Sequence, residues 1–123
     1  MKQLTKAEEE IMQHLWQQQK AFVKEIVAKF PEPKPAYNTV STIIRILEKK
    51  GYVGFKSYGK AHQYFPLVTK GAYSKQSLSK MVSNYFEGSF KEMVSFFVKD
   101  ENISVSELSE IQAMLERKKS QLE

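Results

Sequence analysis

The chain has 123 residues, room for one compact domain or for a small domain with an appended segment. It is 41% apolar, enough to build a core and too much for a disordered protein, and it has no cysteine. Disulfides, thiolate metal sites and cysteine nucleophiles are therefore excluded. No run approaches the ~18 consecutive apolar residues of a membrane-spanning helix. The opening, Met1 to Glu8, turns acidic where a signal peptide needs its apolar stretch. A cytoplasmic chain without membrane insertion is expected. The net charge of +5 is unevenly spread: residues 1–70 hold 12 Lys and Arg against 6 Asp and Glu, whereas residues 71–123 hold 7 against 8. A basic half joined to a near-neutral half points to one part that meets a polyanion and another that meets protein.

In chain order, Thr5-Lys6-Ala7-Glu8 has the spacing of a capping box and opens a helix. Ile11, Met12, Leu15 and Trp16 form its apolar stripe, and Gln17 to Lys20 end it in polar sequence. A shorter second helix turns Val23, Ile26, Val27 and Phe30 inward and stops at Pro31. A third helix is predicted from about Tyr37 to Lys50, ended by Gly51, with Val40, Ile43, Ile44 and Leu47 on its apolar face. Two short aromatic-rich strands follow, Tyr52–Ser57 and Ala61–Phe65, joined by a tight turn at Tyr58-Gly59-Lys60. Three short helices and then a β-hairpin is the winged helix-turn-helix order.

From Thr69 onward the pattern is helical. Leu78, Met81, Val82, Tyr85 and Phe86 make one stripe, and Glu87-Gly88-Ser89 breaks the helix and caps the next. Phe90, Met93, Val94 and Phe97 repeat the spacing, and Asp100-Glu101-Asn102 breaks it again. Ser104 and Glu107 form a second capping box before a last helix bearing Leu108, Ile111 and Leu115. So short a unit buries too small a share of its surface to stand alone. Pairing of two copies through Leu78, Met81, Tyr85, Phe86, Phe90, Val94, Phe97, Leu108, Ile111 and Leu115 is the simplest way to cover these side chains. The expected class is mainly α with a small β-hairpin: a winged helix-turn-helix over residues 1–70, then a helical dimerisation domain over residues 71–123.

The third helix turns Asn38, Ser41, Thr42, Arg45 and Lys49 away from its apolar face, and Thr39 beside them is a further small polar residue suited to DNA. Small polar residues let a helix backbone approach DNA closely, and Asn and Arg bond bidentately to purine edges. Any surface helix has a polar face, so this alone decides little. Lys56 and Lys60 flank the hairpin tip and His62 stands on the return strand, which adds a second phosphate-binding element beside the helix. Double-stranded DNA is the partner this combination favours. No paired carboxylates, metal-ligand spacing, Gly-rich phosphate loop or Ser-centred elbow is present, so no enzymatic activity, cofactor or metal is expected.

Leu4-Thr5-Lys6-Ala7-Glu8 through Leu15-Trp16 resembles the opening of the penicillinase-repressor (BlaI/MecI/CopY) family. Ala36-Tyr37-Asn38-Thr39-Val40-Ser41-Thr42, leading into Leu47-Glu48-Lys49-Lys50-Gly51-Tyr52-Val53, resembles that family's recognition helix, and Gly59 to Pro66 its wing. Phe86-Glu87-Gly88-Ser89 and Ser106-Glu107-Leu108 are similar to the sequence around its two C-terminal breaks. The resemblance implies a homodimeric repressor of palindromic operators, relieved by proteolysis once a membrane-bound zinc-protease sensor is triggered. It places the cleaved bond between Phe96 and Phe97, where Phe96 replaces the usual Asn. Phe97 also lies on an apolar stripe, so the bond is expected to be packed. Ile46 and Ser41 stand where relatives carry basic residues, so no particular operator is implied. The family's copper-responsive branch carries a C-terminal cysteine cluster, which is absent here. One alternative stays open: a winged helix can serve as a protein-interaction adaptor without specific DNA binding, and salt-dependent duplex binding separates the two.

Overall fold

Thr5 starts the first helix as the spacing predicts. In a computed structural model that describes residues 1–100 and 102–123, its hydroxyl accepts the Glu8 amide at 3.2 Å while Glu8 accepts the Thr5 amide at 2.8 Å. Helix α1 (Lys6–Gln18) buries Ile11, Met12, Leu15 and Trp16 and ends where Gln19 takes a φ of +72°. Strand β1 (Ala21–Phe22) leads into α2 (Val23–Lys29), with Val23 and Ile26 buried. Lys34 donates to the carbonyls of Ala28 and Phe30, satisfying acceptors that the end of α2 leaves open. Helix α3 (Tyr37–Lys49) packs Val40, Ile44 and Leu47 inward, and Gly51 follows with a φ of +84°.

The hairpin is β2 (Val53–Tyr58) and β3 (Ala61–Pro66), antiparallel, with Tyr58 opposite Ala61. Its turn is the pair Gly59-Lys60, shorter than the three residues expected, and Gly59 supplies the positive φ (+62°) at the first turn position. β1 adds to the open edge of β3, Ala21 opposite Tyr64, giving the order β1-β3-β2. Two residues show no alternation, so nothing in the local sequence marks this strand.

One cluster joins α1, α2, α3 and the sheet through Ile11, Met12, Leu15, Ile26, Val40, Ile44, Leu47, Tyr52, Val53 and Tyr64. Trp16 is core, and its indole N–H donates to the Val68 carbonyl at 2.8 Å. Tyr73, in the first turn of α4 (Lys70–Tyr85), packs at 5.8 Å from the rings of both Trp16 and Tyr52. The N-terminal residues are tied down as well. Tyr52 donates to the Lys2 carbonyl, Gln76 to that of Met1 at 2.9 Å, and Leu4 is buried. The chain divides into two compact units, Met1–Gln76 and Ser77–Glu123.

The second unit holds the rest of α4, α5 (Phe90–Asp100) and α6 (Val105–Leu122). Glu87 and Gly88 both take positive φ, +51° and +78°, and Ser89 then caps α5 by accepting the Glu92 amide at 3.1 Å. Glu101 lies outside the described residues, while 102–104 are non-helical. Ser104 accepts the Glu107 amide at 3.0 Å, one half of the expected capping box. Among the described residues 77–123 only Val82 is a buried hydrophobe. Of the ten apolar side chains assigned to pairing, Phe86 and Ile111 are half-buried and the other eight are exposed. Phe97 is 58% exposed, so the packing expected of it is not made within a single chain.

Candidate nucleic-acid interface

Because α3 turns Val40, Ile44 and Leu47 inward, its 3.6-residue period leaves Asn38, Thr42, Arg45 and Lys49 exposed on the opposite side. Ser41 is half-buried on the flank toward the hairpin, and exposed Thr39 lies on the other flank. The N-cap is Ala36, which has no side-chain acceptor, so the amides of the first turn lack a cap and can meet an anion.

A groove of about 790 Å³ runs between α3 and the hairpin. From α3 it is lined by Tyr37, Ser41, Arg45, Glu48 and Lys49, and from the hairpin by Phe55, Lys60, Ala61, His62 and Tyr64. The start of α2 contributes Lys24 and Glu25. Four cations, Lys24, Arg45, Lys49 and Lys60, therefore face two carboxylates, and Glu25 already accepts the Phe22 amide at 2.8 Å. The aromatic side of the groove is stiff. Phe55 and His62 stack at 4.2 Å with their planes 10° apart, and Tyr64 lies 5.9 Å from Phe55. Burial pushes the Tyr64 phenol above its ordinary value, the Glu48 carboxylate adds to this, and Arg45 partly offsets it. Tyr64 is thus a neutral wall, and Arg45 supplies charge beside it.

The fold brings Ser41, Arg45, Lys49, Lys60 and His62 of the predicted set to one groove. Asn38, Thr39 and Thr42 lie outside its lining, on the exposed surface of the same helix. Lys56 is set apart from His62: it pairs with Gln63 while Ser57 pairs with His62, so alternation puts the two side chains on opposite faces of the hairpin. There Lys56 sits 5.4 Å over the Tyr58 ring. Lys24, Tyr37 and Phe55 were missed. Each reads locally as an ordinary helix-start or strand residue, and only the packing of α2 and β2 around α3 gathers them.

Three helices, a small antiparallel sheet and a basic two-stranded wing define a winged helix-turn-helix chain. Residues 4–117 match the sequence model of the penicillinase repressor family, and the chain belongs to that family. It is 27% identical over 117 residues to the methicillin resistance regulatory protein MecI of Staphylococcus aureus strain N315, covering 94% of this chain and 95% of that protein. It is 26% identical to MecI of Mammaliicoccus sciuri with the same coverage. Over 119 residues it is 23% identical to the penicillinase repressor of Bacillus licheniformis, covering 96% of this chain and 93% of that protein. These relatives carry regulatory names rather than enzyme names. No helix among the described residues is long and apolar enough to cross a membrane, and no group of three or more His, Asp or Glu among them could hold a metal ion.

Proposed function

We propose that the chain is a homodimeric, cytoplasmic transcriptional repressor that binds palindromic operators in duplex DNA, on genes of the antibiotic-resistance type. The observation that carries this reading is the convergence of Arg45, Lys49, Lys60 and Lys24 on one groove between α3 and the wing. Helix α3 enters the major groove with Asn38, Thr39, Ser41, Thr42 and Arg45 at base edges, and the wing lies on the adjacent backbone. Repression is steric, since an occupied operator excludes polymerase.

Dimerisation through residues 71–123 is supported by the exposed stripes of α4, α5 and α6, of which α6 buries nothing within one chain. A second copy covers them and links two weak half-site contacts into one tight one. Relief by a sensor protease is supported by family membership and by Phe96 and Phe97, which are 59% and 58% exposed in the single chain. A cut there detaches Leu108, Ile111 and Leu115 from the pairing surface without touching α3. Mass spectrometry of the protein in cells challenged with a cell-wall antibiotic tests this part. Two fragments, one ending at Phe96 and the other beginning at Phe97, are expected, whereas induction with the chain intact removes cleavage and leaves the repressor reading in place. The core of the proposal is tested by a nuclease footprint of the full chain on the DNA upstream of its own gene. A two-fold symmetric protected window is expected. No protection at concentrations where the protein is folded and dimeric contradicts it and favours the adaptor alternative.

A further inference from the structure

The side of α3 away from the hairpin groove has a feature that cations on DNA do not explain. Ile46 is 40% exposed, although Val40 and Ile44 on the same helix are buried. It stands one turn after Thr42, and residues four apart on a helix are surface neighbours. The Thr42 hydroxyl donates to the Asn38 carbonyl at 2.9 Å, so its proton is used inside the helix. Its methyl group is then the part left to make an apolar contact. Thr42 and Ile46 thus form a short apolar strip beside Asn38 and Lys49, on a helix whose other exposed residues are polar or charged apart from Tyr37, which lies on the hairpin side.

We infer that this strip reads the C5-methyl group of thymine, making Thr42 and Ile46 specificity-determining residues for the proposed operator. The inference rests on the DNA-binding reading and deepens it. Within the major groove the thymine methyl is the one apolar group on a base edge, so an apolar strip on an inserted helix has a single complementary partner there. Phosphate oxygens offer it nothing. Ile46 gains only by removing a methyl from water along with itself, and removing one methyl is worth roughly a fourfold change in affinity. The strip does not line the groove that holds Arg45, Lys49 and Lys60, so hydrophobic readout and cationic anchoring are carried by different flanks of one helix. Each half-site is then expected to hold thymine at one or two adjacent positions under this flank.

The test uses duplexes selected by the full-length protein from a random pool, with each thymine replaced in turn by deoxyuridine, which lacks only the methyl. Competition anisotropy at fixed salt compares the original protein with Ile46→Ala, Thr42→Ser and Thr42→Val. All these positions are exposed, and thermal melts confirm that the variants fold. At one or two positions per half-site, deoxyuridine is expected to weaken the original protein by roughly three- to fivefold. Ile46→Ala should lose that discrimination at one of them. Thr42→Ser, which keeps the hydroxyl, should lose it at the neighbouring one, while Thr42→Val, which keeps the methyl, should retain it. Equal deoxyuridine penalties in all four proteins, or no penalty at any thymine while duplex binding persists, overturn this inference alone. Absence of duplex binding overturns the functional reading and this inference with it.

Discussion

Glu8 is a carboxylate only 4% exposed, and its fate shows how this small domain handles a buried charge. Lys50, at the end of α3, reaches it at 2.7 Å, and the Thr5 amide donates to it as well. Burial alone would raise the Glu8 pKa. The bonds from Lys50 and Thr5 outweigh that and hold the carboxyl below its ordinary 4.5. The stabilisation is present above 4.5 and fades as pH falls through the lower folded value. Lys50→Met is expected to cost roughly 1–3 kcal/mol at neutral pH, less than a fully buried pair because Lys50 still touches water. Urea melts should show the gap between the two proteins closing in acid, and a gap that is the same at low and neutral pH contradicts this account. His14 behaves in the opposite sense. Packed 4.5 Å from the Phe30 ring, it has its pKa lowered by burial; Glu10 opposes the shift and Lys29 adds to it. The unfolded chain binds a proton near 6.5 where the folded one resists it, so stability falls as pH drops below that value. His14→Phe should flatten this part of the stability-against-pH curve, and an unchanged slope would assign it elsewhere.

At the scale of elements, the proposed DNA contact gives α3 and the wing separable tasks. Arg45→Ala should cost roughly 1–3 kcal/mol of binding to the preferred duplex and relax preference at one base position. Lys60→Ala should weaken all duplexes about equally. Anisotropy titrations on preferred and scrambled duplexes check both, and a uniform loss for Arg45→Ala would remove it from base reading. Much of this is legible in the sequence. The Thr5–Glu8 box, the α3 stripe and the Glu87-Gly88-Ser89 break are local signals written in side-chain spacing; hydrogen bonds bear out the box and the Ser89 cap, and burial of Val40, Ile44 and Leu47 bears out the stripe, with Ile43 half-buried at its edge. β1 was illegible because Ala21–Phe22 becomes a strand only by pairing with Tyr64 and Gln63, some forty residues away in sequence. Lys24 and Tyr37 were missed for the same reason, since long-range packing brings them to the groove. The separation of Lys56 from His62 depends on register, which turn length sets: a three-residue turn would place Lys56 opposite His62, whereas the two-residue turn places it opposite Gln63.

For the molecule as a whole, the two units pose different problems. Among the described residues, 1–76 contain fifteen of the sixteen buried hydrophobic residues, whereas the second unit leaves its helices with exposed apolar faces. In the proposed dimer a second copy covers those faces. Leu115→Glu, which sets a carboxylate in the proposed apolar contact, should shift sedimentation equilibrium from dimer to monomer at micromolar concentration. An original protein that is already monomeric there removes the pairing argument. The central claim, that the groove between α3 and the wing binds the DNA backbone as well as the bases, is tested most directly by the salt dependence of duplex affinity. With ~6–10 phosphates neutralised per dimer, affinity should fall on the order of 10³–10⁵-fold between about 50 and 200 mM salt. An affinity that stays flat across that range contradicts the account.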